Sequence, residues 1–141
     1  GKRVVKSMDT AFKTVIAVGG SLISFFFGGW SSLLTILAIF VAIDYATGVL
    51  AAAKEKKLNS NVGLWGIAKK VAMFVVIGVA NLVDLALGGE NSLFRDAATF
   101  FYLANELLSI LENAGRLGVP IPDKLRGAVE LLNGKGEQNG R

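Results

Sequence analysis

Residues 14–43 carry no charged side chain. In a chain of 141 residues this is a longer apolar run than a soluble core of that size can cover, and about eighteen such residues already suffice to cross a bilayer. One straight helix over the run would measure about 45 Å, against a hydrocarbon layer of about 30 Å. The run must therefore break. Gly28-Gly29-Trp30-Ser31-Ser32 supplies the break: paired glycines permit a turn, a serine can cap the next helix, and Phe25, Phe26, Phe27 and Trp30 resemble an interfacial aromatic belt. The pattern predicts spans over residues 10–27 and 33–53, joined as a hairpin. A second arrangement of the start stays open, because Val5, Met8, Phe12 and Val15 share one helical face while Lys2, Lys6, Asp9 and Lys13 occupy others, as in a helix lying on the membrane.

The chain contains neither cysteine nor histidine, which excludes disulfides, thiolate nucleophiles and imidazole bases or ligands. No catalytic, metal or cofactor site is expected. The net charge of +4 comes from basic residues placed beside apolar segments, so anionic lipid headgroups fit as partners better than nucleic acid. The apolar region is also too long for a secretory signal and lacks a small-residue cleavage pattern.

A third span is predicted over residues 67–87, entered through Lys69-Lys70. The segment that follows is different in kind. Tyr102, Asn105, Glu106, Ser109, Glu112, Asn113 and Arg116 recur at steps of three or four, and Phe100, Leu103, Leu107, Ile110, Leu111 and Ala114 cover the rest, so the fourth helix, over residues 93–113, is amphipathic. Val119-Pro120-Ile121-Pro122 cannot continue it. A short helix is expected over 123–132 and a disordered polar tail over 133–141. The fold expected is an all-α integral membrane protein of about four transmembrane helices in two hairpins, forming a single membrane domain over residues 1–132. No repeat is evident.

Charge sets the orientation. Lys2, Arg3, Lys6 and Lys13 open the first helix; Lys54, Lys56, Lys57, Lys69 and Lys70 surround the second connection; Arg116, Lys124, Arg126, Lys135 and Arg141 follow the fourth helix; the other two connections hold only Arg95. By the positive-inside rule this predicts four spans with both termini cytoplasmic and a short cytoplasmic helix at the C-terminal side. Lys54, Lys56, Lys57, Lys69 and Lys70 are the headgroup candidates, their apolar stems lying inside the bilayer edge.

An acidic residue at mid-span costs about 2.5 to 3.5 kcal/mol on insertion scales, so Asp44, Asp84 and Glu106 each need a partner or water. Asp44 heads a small-residue stripe with Gly48 and Ala52, next to a second of Ala38, Ala42 and Ala46; Ala68, Ala72 and Ala80 form another on the third helix. Such stripes let backbones approach closely and favour helix association in lipid. On the third helix Lys70, Asn81 and Asp84 fall on one face, since separations of eleven and fourteen residues are close to whole turns. That face and the polar stripe of the fourth helix (Tyr102, Asn105, Glu106, Ser109, Glu112) either satisfy one another within one chain, or several chains gather them around water as a pore wall.

The segments Asp44-Tyr45-Ala46-Thr47-Gly48, Lys56-Lys57-Leu58-Asn59-Ser60, Gly63 and Gly66 before Lys69-Lys70, Glu106-Leu107-Leu108-Ser109-Ile110-Leu111-Glu112-Asn113, and Gly118-Val119-Pro120-Ile121-Pro122 resemble, in that order, the phage holin family that includes clostridial toxin-secretion holins. The likeness covers about residues 44–132; the first 43 match only in hydrophobic character. The resemblance implies a non-enzymatic protein of the host bacterial cytoplasmic membrane that forms homo-oligomers and opens lesions, through which an endolysin leaves to lyse the host or a toxin is secreted. A small selective ion channel or transporter subunit, with Asp44 or Glu106 as ion ligand, is the alternative. A non-conducting scaffold is a third.

Overall fold

A computed structural model describes residues 1–127. Four helices follow one another: α1 (Lys2–Phe27), α2 (Ser32–Lys54), α3 (Ser60–Ala86) and α4 (Leu93–Arg116). Their ends are set by local chemistry. At the end of α1, Gly28 takes the left-handed conformation (φ 69°), and the N–H groups of Gly28 and Gly29 donate to the carbonyls of Phe25 and Ser24 at 3.1 and 2.7 Å. Ser31 then caps α2 by accepting from the Leu34 N–H, and Asn59 caps α3 by accepting from Asn61. The connections are short, so consecutive helices run antiparallel, and the starts of α1 and α3 share one end with the finishes of α2 and α4. This is the basic end.

α1, α2 and α3 are long and apolar enough to cross a membrane; α4 is not among the helices that meet that standard. Its polar stripe lowers its mean hydropathy, so a fourth span does not follow from length and composition. α1 starts at Lys2, well before the expected residue 10, and residues 2–13 continue it without a break. α3 starts at Ser60 instead of 67, because Asn59 supplies a cap that the polar loop composition concealed. Of the helix expected over 123–132, residues 123–127 are helical; its remainder and the expected tail lie outside the described residues.

α4 packs against both α2 and α3, and α1 rests on α3, not on its sequence neighbour α2. The two expected hairpins are thus reversals of chain direction, and in the first α1 packs mainly on α3. A small apolar core of Phe27, Leu34, Leu37 and Ile77 sits in the half away from the basic end, with Phe26, Met73, Phe74 and Leu103 against it. Phe27 meets Trp30 and Phe74 edge-on, so part of the expected aromatic belt joins this core. Elsewhere the usual distribution is inverted. The buried side chains include Asp44, Asn81, Asp84, Thr99, Glu106 and Asn113, while Val15, Leu22, Trp65 and Phe101 are all more than half exposed. Water would not tolerate so continuous an apolar exterior, whereas lipid is its natural solvent.

Candidate functional site: a polar seam along the fourth helix

Thr99, Glu106 and Asn113 stand seven residues apart, two helical turns, and so share the face of α4 turned toward α2 and α3. α2 contributes Asp44 opposite them and α3 contributes Lys70. The Lys70 ammonium donates to Asp44 Oδ2 at 2.6 Å and to Glu106 Oε2 at 2.8 Å, tying three helices at one nitrogen. Asn113 Nδ2 donates to Asp44 Oδ1 at 2.8 Å, to the Asp44 carbonyl at 3.1 Å and to Thr47 Oγ1 at 3.1 Å. Arg116 Nη1 donates to Asn113 Oδ1, and its Nε and Nη2 grip Glu55 at 2.9 and 3.0 Å. Lys54 closes the helix end by donating to the Arg116 carbonyl. A chain of polar contacts therefore runs from mid-helix to the basic end. The Arg116 guanidinium holds the Glu55 carboxyl below the ordinary glutamate range through that two-pronged contact.

A second polar cluster lies at the opposite end, and its work is helix capping. Asp84 accepts the backbone N–H groups of Phe94 and Arg95 at 2.9 Å each, replacing a cap that Ser92 does not provide. Asn81 Nδ2 donates to the carbonyls of Phe25 and Phe26, and Arg95 Nη1 to those of Phe27 and Gly28. The last carbonyls of α1 are thus satisfied by α3 and α4. Gly78 is the matching notch: a Cβ there would collide with the Phe26 ring.

Lys70, Asn81 and Asp84 do share one inward face of α3, but they serve different partners. Only Lys70 meets the α4 stripe, and it is half-buried between carboxylates while Lys54, Lys56, Lys57 and Lys69 are exposed. The α4 stripe divides along its width. Glu106 is buried, Tyr102 and Ser109 are half-buried, and Asn105 and Glu112 are exposed on the outer edge. The two α2 stripes also separate. Asp44 is buried, a Cβ added at Gly48 would lie 3.5 Å from the Asn113 amide nitrogen and Ala52 is half-buried, whereas Ala42 and Ala46 are exposed and Ala38 half-exposed. On α3, Ala68 and Ala72 are exposed and Ala80 is half-buried. Sequence reasoning missed Thr99, Arg95 and the role of Asn113 as the bridge to α2; the seven-residue spacing of 99, 106 and 113 was the available signal. Among the described residues no group of carboxylates could hold a metal ion.

The family model described as the bacteriophage holin family matches residues 21–134 of this chain. An uncharacterized protein of Halalkalibacterium halodurans is 44% identical over 131 residues, covering 90% of this chain and 97% of its own. An uncharacterized 14.9 kDa protein of Clostridium perfringens is 46% identical over 116 residues, covering 82% of this chain and 88% of its own. A protein of Bacillus phage phi105 named "probable holin" is 34% identical over 105 residues, covering 74% of this chain and 77% of its own. No solved structure matches.

Proposed function

The chain belongs to the bacteriophage holin family, and from that premise we propose that it assembles with copies of itself in the cytoplasmic membrane of a bacterial host and opens lesions that release an endolysin or a toxin. It acts without catalysis. All four helices span, with both termini cytoplasmic, and α4 crosses because its mid-helix carboxylate, Glu106, is already partnered inside the chain.

The observation that carries this reading is the divided polar stripe of α4. Its inner edge is satisfied by Lys70 and Asp44, which makes a closed chain tolerable in lipid. Its outer edge, with Asn105 and Glu112, is exposed, and in a bilayer only another copy or water satisfies it. The exposed small residues Ala42, Ala46, Ala68 and Ala72 are the surfaces on which copies approach. In the open assembly the outer edge of α4 borders water. A selective channel is less well supported, because one ammonium already occupies both buried carboxylates that would serve as ion ligands.

Inducible expression with reporters of graded size is the test. Release of a cytoplasmic enzyme together with small dyes is expected. Loss of ion gradients with full retention of the enzyme overturns the lesion reading in favour of a selective channel.

A further inference from the structure

Between α2, α3 and α4 at the basic end lies a cavity of about 280 Å³. Lys70 and Ser109 line its deep part, and Lys57, Asn59 and Arg116 line it near the loop. Its charge is uneven. Deep inside, Lys70 is consumed by Asp44 and Glu106, so that region offers an anion nothing. Toward the loop, the lining cations are Lys57 and Arg116; Arg116 is gripped by Glu55 and also lies near Glu112. Among the described residues Lys57 forms no ion pair.

Two lining residues, Leu58 and Val62, are apolar and yet 62% and 67% exposed. They continue the cavity wall onto the outer surface of the bundle, next to Trp65 at 70% exposure. A soluble anion has no use for such an apolar ramp, whereas an acyl chain does. The site also sits where apolar helices of membrane-spanning length end, which is headgroup depth for helices that cross a bilayer. At about 280 Å³ the cavity has room for a phosphodiester headgroup, while the apolar ramp outside it suits a tail.

We infer that this cavity is a binding site for an anionic phospholipid of the adjoining leaflet, its phosphate beside Lys57, its polar head toward the Ser109 hydroxyl and an acyl chain along Leu58 and Val62. Basic recesses between membrane helices recognise lipid heads in this way. The site is separate from lesion formation, so the binding test below does not depend on lysis.

The test is native mass spectrometry of the full chain released from bilayers of phosphatidylcholine containing phosphatidylglycerol, with retained lipid identified by mass. Phosphatidylglycerol should be retained in preference to phosphatidylcholine. Lys57→Gln should lower its retention about fivefold, the weight of one lysine near an anionic surface. Lys57→Arg should keep it, and Lys56→Gln, in the same loop but outside the cavity lining, should leave it unchanged. Val62→Ser should weaken retention with every charge in place. Equal losses in Lys56→Gln and Lys57→Gln, equal retention of the two lipids, or an unaltered Val62→Ser each overturn the site. Displacement of the lipid by millimolar inorganic phosphate would reassign it to a free anion.

Discussion

Replacing Lys70 by methionine tests the seam at its centre. The ammonium stands 2.6 Å from Asp44 and 2.8 Å from Glu106, which at an effective dielectric of about 20 amounts to about 6 kcal/mol of gross attraction for each pair. Two carboxylates touching one nitrogen also repel each other, which takes back part of that attraction. Desolvation of three charged groups offsets most of what remains, and breaking a buried pair by removing one partner typically costs about 3 to 5 kcal/mol. Lys70→Met should therefore weaken the closed bundle by about 4 kcal/mol, or about three decades in its unfolding equilibrium, because two carboxylates then face each other without a counter-ion. Unfolding titrated with dodecyl sulfate in mixed micelles measures this. The triple variant Lys70→Met, Asp44→Asn, Glu106→Gln removes the ions together and should recover part of the loss, since the uncompensated charge is gone while two buried amides still lack the Lys70 donor. A single variant within about 0.5 kcal/mol of wild type, or a triple variant no better than the single, refutes the view that Lys70 holds α4 in place; the measurable range of surface pairs would then describe it better.

Gly78→Ala drives a methyl into the Phe26 ring and should cost about 1 to 3 kcal/mol in the same micellar titration; combined with Phe26→Ala it should cost less than the two changes summed, and strictly additive losses would deny the clash. Asp84→Ala leaves the Phe94 and Arg95 N–H groups without their acceptor and should cost about 1 to 2 kcal/mol by that titration, with Asp84→Asn losing less; equal losses would deny the capping role. In intact cells before lysis, a cysteine at Ser60 should be shielded from an impermeant thiol reagent and one at Asn91 should react, and the reverse pattern would invert the orientation.

Local signals made the helices legible. Ser31 and the Gly28-Gly29 pair fix the end of α1 and the start of α2 to within a residue or so of the expected bounds, because each acts on atoms a few residues away. Periodicity also placed Lys70, Asn81 and Asp84 on one face of α3. It could not say which helix that face meets, since the partner is chosen by packing across the chain: Lys70 finds α2 and α4, Asn81 finds α1, and Asp84 finds the start of α4. The same blindness treated the stripes Asp44-Gly48-Ala52 and Ala38-Ala42-Ala46 as equivalent, although one lies against α4 and the other faces outward. The preference of α1 for α3 left no trace in the sequence, because a short connection specifies direction, not contact.

The attachment of α1 has a mechanical consequence. Of its residues only Phe27 is buried, and the donors that grip it, Asn81 and Arg95, both act on carbonyls between Phe25 and Gly28. Within the single chain α1 is a rod pinned at one tip. A rod of 26 residues is about 39 Å long, so a tilt of about ten degrees about Gly28 sweeps the far tip sideways by about 7 Å. Lys2, Arg3 and Lys6 ride on that tip. Whatever acts on that charged tip therefore steers the helix through its most charged turn, with the pivot held fixed by two side chains at the other end of the rod.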